Sequence, residues 1–458
     1  MKINQDFFIG TSSSAWQIEG NSLKNNKSWA DLFYESNPNI WFNKIGPEKA
    51  CDFINHYEED IELMAKAKMN TFRFTIQWPF FLSDIRKGIV NKEALDFYNR
   101  VIDKIISCGM KPFISLEHWD IPSEFIEEFD GWCNKKMIDY YLIYADKVFS
   151  CFADRVSYFF AFTEPNIPID NGYMEKIWYP FKHNPKKAYQ AHFNKTLATS
   201  LCKKVFIPYQ KQYHGKLGVM IHYTPVYSRS DEKADLQAAY MADLLQVRLY
   251  LDPYLKGEYP EELLSVLKKN NCLFDYTDED MKNIKNYQID ILGLDYYFPI
   301  RVCAKSKPYE GAFHPEQFYD KWIKPDRKFN KDRGWEIYEQ AIYDAGMRIK
   351  NEYNNFDWFI SENGIGIENE ERFRNDDGMI EDDYRIQFLS EHLKYALKAK
   401  QDGCNCLGYL VWSFIDNLSA VNAFKNRYGL LELDLNTYMR HPKKSYYFFK
   451  RLNETKEL

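Results

Sequence analysis

Eight short apolar, β-prone runs recur along this chain with helical-period segments between them, and that alternation restricts the fold more than any other feature. The runs occupy residues 7–11, 71–77, 112–117, 157–163, 217–222, 289–294, 358–361 and 408–413. Segments with helical periodicity lie between them, near 57–68, 94–107, 136–152, 187–206, 235–250, 335–352 and 383–401. In the last of these, Ile386, Leu389, Leu393 and Leu397 fall on one face with charges between, and Gly403 follows as a stop signal. Strands alternating with helices allow a doubly wound sheet or a closed (β/α)8 barrel. The first βα turn lacks G-x-G-x-x-G and no phosphate-loop lysine motif occurs, which weakens the doubly wound reading. No linker rich in Pro, Gly or Ser and no solenoid repeat divides the chain. The expectation is an α/β fold, a single TIM barrel domain over residues 1–458 with long loops at its C-terminal face. A chain of 458 residues that is 45% hydrophobic can bury the core this needs.

Charge and cysteine usage remove several function classes. The formal net charge of −6 leaves no basic footprint for nucleic acid, and no Lys/Arg block marks a membrane patch. Residues 1–10 lack the charged start and apolar stretch of a signal peptide, and no apolar run is long enough to span a bilayer. Nine scattered cysteines, an odd number, read as reduced thiols in a cytoplasmic protein. Cys404 and Cys406 are too close for a zinc hook, and no His-Glu-x-x-His pattern occurs. Neither metal nor cofactor is expected.

Two strand ends carry the chemistry. Phe162-Thr163-Glu164-Pro165 and Ile360-Ser361-Glu362-Asn363-Gly364 each finish an apolar run with a glutamate beside a backbone-restricting residue. In a (β/α)8 barrel such positions face the active site, and His118 and Trp412 also sit just past strand ends. Two carboxylates aimed into one cleft are the equipment for cleaving a glycosidic bond, one as nucleophile and one as proton donor. The partner would then be a small carbohydrate. Aromatics at 17% fit either a large core or rings that stack on sugar faces.

These residues sit in strings that resemble glycoside hydrolase family 1, the retaining β-glucosidase family. Phe8-Ile9-Gly10-Thr11-Ser12-Ser13 with Ala15-Trp16-Gln17-Ile18-Glu19-Gly20 is similar to the family's opening strand. Thr71-Phe72-Arg73-Phe74, Gln77-Trp78-Pro79, Glu117-His118-Trp119-Asp120-Ile121-Pro122 and Gly334-Trp335-Glu336-Ile337-Tyr338 follow in the family's order. Arg427-Tyr428-Gly429 and Pro442-Lys443-Lys444-Ser445 close the match. The resemblance implies a barrel with Glu164 as general acid/base and Glu362 as nucleophile. It implies that Arg73 and Tyr297 surround the nucleophile, with Arg73 favouring its charged form. Gln17, His118, Trp119 and Trp412 would line the sugar subsite, and Trp335 would form a platform for the leaving group.

Three departures from the family pattern bear on substrate. Thr163 stands where Asn usually precedes the acid/base, so contact with the sugar 2-hydroxyl is expected to be shorter in reach. Asp295 stands where Asn usually precedes the Tyr296-Tyr297 pair, and is expected to add negative charge near Glu164. Ser419 and Ala420 replace the Glu-Trp that grips the 4- and 6-hydroxyls of plain glucose. Members acting on 6-phosphorylated sugars have Ser there, followed by a Lys and a Tyr. Here Ser419 and Tyr428 match, Asn426 takes the Lys position, and Lys425 is the neighbouring charge. A β-glucoside-like sugar, plain or 6-phosphorylated, is the expected substrate, with a 6-phospho-β-glucosidase or 6-phospho-β-galactosidase proper as the alternative. A non-catalytic sugar-binding homologue and a transglycosylase are the competing readings.

Overall fold

The computed structural model describes residues 1–20 and 24–458. Eight parallel strands close into a barrel: β1 (Phe8–Ser12), β2 (Thr71–Thr75), β3 (Lys111–Ser115), β4 (Tyr158–Thr163), β5 (Lys216–His222), β6 (Ile291–Asp295), β7 (Trp358–Glu362) and β8 (Cys406–Val411). Each strand pairs with its neighbours in sequence, and β1 closes the ring on β8 with Phe8 opposite Gly408. Parallel strands covered on both faces must be apolar nearly throughout, which is why these segments read as runs rather than as alternating patterns. β1, β2, β6 and β7 are buried at every position. Phe8, Phe113, Phe160, Met220, Ile291, Phe359 and Leu410, one residue from each of seven strands, form a separate cluster that plugs the barrel interior.

The expected strands lie within a residue or two of those observed. Helices Phe53–Lys66, Lys92–Ser107, Met137–Phe152, Pro185–Tyr213, Lys233–Asp243 and Asp383–Gln401 occupy the periodic segments. One boundary differs in a useful way. The segment predicted over 335–352 is helical only over Gln340–Glu352, and residues 335–339 belong to the loop that carries Trp335. A small sheet of Val226–Ser228, Ile300–Ala304 and Tyr319–Lys321 and the helix Asp278–Asn286 were not anticipated. Three-residue strands leave no periodic signal. The helix did have one, a capping box of Thr277 with Asp280. Among the described residues no helix is long and apolar enough to cross a membrane.

Candidate active site

Glu362 ends β7 and Arg73 is the middle residue of β2, so two strands separated in the ring by β8 and β1 bring the two side chains together. The Arg73 guanidinium is fully buried and meets Glu362 Oε1 through Nη2. Its Nη1 donates to the Ser13 carbonyl and, at 3.1 Å, to His118 Nδ1. Tyr297 Oη donates to Glu362 Oε2 at 2.7 Å. Both carboxylate oxygens of Glu362 are therefore held. Burial pushes Glu362 up to about 7, Arg73 and the Tyr297 bond pull it down, and the charge of Glu164 adds to the rise. This corrects the expectation that the Arg73 charge would hold the nucleophile low. Burial outweighs the guanidinium, yet a fixed cation in direct contact keeps the ionised form accessible at neutral pH. His118 goes the other way: burial, then the charges of Arg73 and Lys195, hold it well below the usual imidazole range. Its neutral ring accepts from Arg73 at Nδ1, which leaves Nε2–H as a donor facing the cleft.

Glu164 follows the last residue of β4 and takes a left-handed backbone, φ +47°, as Trp119 does at φ +68°. Non-glycine residues held there mark a site that the surrounding structure over-determines. The Glu164 N–H donates to the Met220 carbonyl at 2.9 Å, and Trp119 Nε1 donates to the Glu164 carbonyl at 3.2 Å. His222, the end of β5, places Nδ1 2.7 Å from Glu164 Oε1. One oxygen from each of Glu164, Asp295 and Glu362 lies within 4.8 Å of the other two. Three carboxyls around one guanidinium cannot all be ionised cheaply. Asp295 takes the consequence: burial first, then the charges of Glu362 and Glu164, hold it well above the usual carboxylate range. Asp295 Oδ1 accepts from Ser361 Oγ at 2.6 Å, so the carboxyl expected beside Glu164 is held there with its ionised form disfavoured.

A cleft of about 530 Å³ opens over this pair. Gln17, His118, Trp119, Tyr297, Trp335, Trp412, Ser419 and Tyr428 line it, as the sequence predicts for the sugar and leaving-group walls. Gln17 is fixed by bonds with Ser14 Oγ and the Leu418 carbonyl. Two expected contacts are corrected. Thr163 is fully buried and off the cleft wall, with its hydroxyl 2.8 Å from Ser115 Oγ. Lys425 also lies off the wall, paired with Glu368 at 3.0 Å. Sequence reasoning missed His222, Trp178, Phe298 and Arg333, which also line it. His222 could have been found, since it ends an expected strand by the same rule that selected Glu164.

The far end of the cleft, formed by residues 419–428, rests on a buried ionic floor. Lys443 bridges Glu370 and Asp416, and Arg385 reaches Glu370, Asp382 and the Arg427 carbonyl. Asp416 Oδ1 also accepts from Gly429 N–H at 2.8 Å. Burial raises the Glu370 carboxyl, but the charges of Arg385 and Lys443 and the bonds from Lys443 and Tyr384 reverse this and hold it at about 2.

A parallel barrel that sets two carboxyls this close at its C-terminal mouth defines a glycoside hydrolase of the retaining kind. The chain belongs to glycosyl hydrolase family 1, whose model matches residues 1–458. It is 41% identical over 457 residues to the 6-phospho-beta-glucosidase GmuD of Bacillus subtilis, covering 98% of this chain and 97% of that protein. It is 32% identical to a 6-phospho-beta-galactosidase of Clostridium acetobutylicum, covering 99% of this chain and 97% of that protein. Among solved structures, the family 1 β-glucosidase of Thermotoga maritima superposes with a TM-score of 0.90 at 29% identity, covering 100% of this chain and 99% of that one.

Proposed function

We propose that this chain is, along its whole length, one exo-acting catalytic domain that hydrolyses β-glucosides phosphorylated at O6, by double displacement, in the cytoplasm. Glu362 attacks the anomeric carbon while Glu164 gives its proton to the departing glycosidic oxygen. The C–O bond to the leaving group breaks as the glycosyl ester to Glu362 forms. Glu362 is then neutral, so Glu164, now ionised, takes a proton from water, whose oxygen displaces the ester and restores both carboxyls. The short distance between the carboxyls supports this route, since an inverting enzyme keeps them roughly 6.5–9.5 Å apart to admit water. Tyr297 and Arg73 hold the nucleophile, Gln17, His118, Trp119 and Trp412 seat the sugar, and Trp335 carries the leaving group.

One observation carries the phosphorylated substrate. Glu164 and Glu362 are the sole carboxylates on the cleft wall among the described residues, and the far end presents the Ser419 and Tyr428 hydroxyls instead of an acid. A carboxylate there would grip neutral hydroxyls and repel a dianion, whereas hydroxyl donors accept one. The names of two relatives, a 6-phospho-beta-glucosidase and a 6-phospho-beta-galactosidase, support a phosphorylated sugar, and the more similar of these two supports the glucoside. Nine free thiols are at home in the reducing cytoplasm. A paired assay decides: p-nitrophenyl β-glucoside 6-phosphate is expected to be hydrolysed with a higher kcat/KM than p-nitrophenyl β-glucoside. The reverse order would make the chain a plain β-glucosidase, and release of nitrophenol from neither would leave a sugar-binding homologue.

A further inference from the structure

The cations gathered around the far end of the cleft differ in one respect. Lys425 is spent on Glu368, Arg427 stands 3.6 Å from Asp416, and Lys443 and Arg385 are committed to the buried floor. Arg333 is different. Among the described residues it has no carboxylate within ion-pairing distance. Its Nη1 finds only the amide oxygen of Asn426 at a long 3.4 Å, and its Nε is buried without a partner. The neighbouring Asp332 does not neutralise it, because Asp332 Oδ2 accepts from Glu368 N–H at 2.9 Å and faces Arg372 at 3.5 Å. Yet Arg333 is on the cleft wall with Ser419 and Tyr428. Its positive charge reaches the Tyr428 phenol, which burial raises and Arg333 counteracts.

The guanidinium is also held in place. Its central carbon lies over the Trp335 ring, 4.2 Å from the centroid. The turn that carries it is closed by Gly334 N–H to the Asn330 carbonyl at 2.7 Å and tied across to the Gly366 carbonyl by Asn330 Nδ2 at 2.8 Å. A preorganised, unneutralised guanidinium beside two hydroxyls is a receptor for a tetrahedral oxyanion, which its planar fork matches with two parallel N–H bonds. Resting on the reading that the sugar is phosphorylated at O6, we propose that Arg333 is the residue that binds the phosphate, with Ser419 and Tyr428 as hydroxyl donors, and so sets the preference for phosphorylated over plain glycosides. Lys425, the nearer candidate in sequence, has no part in it.

The test is a ratio. kcat/KM is measured on p-nitrophenyl β-glucoside 6-phosphate and on p-nitrophenyl β-glucoside, which has the same leaving group but no phosphate on its sugar for Arg333 to meet. In Arg333→Met the ratio of the two is expected to fall about 100-fold, as truncation of one partner in a desolvated charge pair does. Some loss on both substrates accompanies it, because Arg333 also packs on Trp335. Arg333→Lys is expected to recover part of the ratio, since it keeps the charge and loses the fork. Lys425→Met is expected to leave the ratio where it stands. Should Arg333→Met fail to fold, Arg333→Gln is read in the same way. A wild type that prefers the phosphorylated glycoside and an Arg333 variant that keeps the preference within about threefold overturn the assignment of Arg333 and spare the phosphorylated substrate. A collapse of the ratio in Lys425→Met overturns it too. A wild type that prefers the plain glycoside removes the substrate reading and the role of Arg333 with it.

Discussion

The two ends of the sugar cleft are built on opposite principles. At the nucleophile end, Arg73, Tyr297, His118 and Glu362 lie in barrel strands or within three residues of their ends, are all buried, and contact one another at close range. At the far end, residues 419–428 form a loop in which even Val421 and Ala423 take left-handed backbone, at φ +65° and +44°. That loop is held from beneath by ions that never reach the cleft. The first end fixes a reaction, and strand geometry suits it because catalytic groups tolerate little displacement. The second end chooses which sugar the reaction is performed on, and a loop on a rigid floor can exchange its tips without disturbing the barrel.

The largest effect expected from this division is at Glu362. Glu362→Ala should lower kcat by roughly 10⁴–10⁶-fold, as loss of a covalent nucleophile does, with thermal stability close to wild type. An unimpaired rate in purified protein would falsify the catalytic assignment. Next comes the floor of the far end. Glu370→Gln leaves Arg385 and Lys443 short of a carboxylate in a dry setting, and should cost about 3–5 kcal/mol of unfolding free energy at neutral pH. The pH dependence has a definite sign. The folded value of Glu370, about 2, lies below the ordinary 4.5, so its contribution is present above pH 4.5 and lost as pH falls toward 2. Urea melts across that window should be steep for wild type and flatter for Glu370→Gln. Equal slopes would mean that the floor does not titrate.

Two smaller effects sharpen the border between the ends. Thr163→Val removes a buried hydroxyl bonded to Ser115, which should cost about 1 kcal/mol of stability and change kcat/KM by less than about threefold. A tenfold loss of turnover at unchanged stability would put the Thr163 hydroxyl back in contact with the sugar. Burial and the neighbouring carboxylates disfavour the charge on Asp295, so Asp295→Asn should leave the limbs of the pH–rate profile near neutrality where they are. Displacement of either limb would show that Asp295 ionises in the working enzyme.

The strand ends were legible because a buried parallel strand must be apolar throughout, and because Pro165 and Gly364 flag the turns after Glu164 and Glu362. The walls formed by Gln17, His118, Trp335 and Trp412 were legible through the family resemblance. The electrostatics were not. Whether Glu362 or Asp295 keeps a proton depends on how three carboxyls and one guanidinium share a dry space, and no string of residues records that sum. Arg333 and Lys425 exchanged places for a similar reason. Lys425 is two residues from Arg427 and three from Tyr428, but its charge is cancelled by Glu368 from another loop. Arg333 comes from 93 residues before Asn426, and only the hydrogen bonds of Asn330 and Asp332 to the loop after β7 bring it alongside.

Gly366 gives this arrangement a further meaning. A methyl group at that position would sit 2.4 Å from the Tyr428 ring, so backbone and phenol touch with no room for even one carbon. The spacing between the two loops at this point is set by direct contact of glycine backbone with the phenol. Any side chain at 366 would have to displace the Tyr428 ring, and with it one of the hydroxyls at the far end of the cleft.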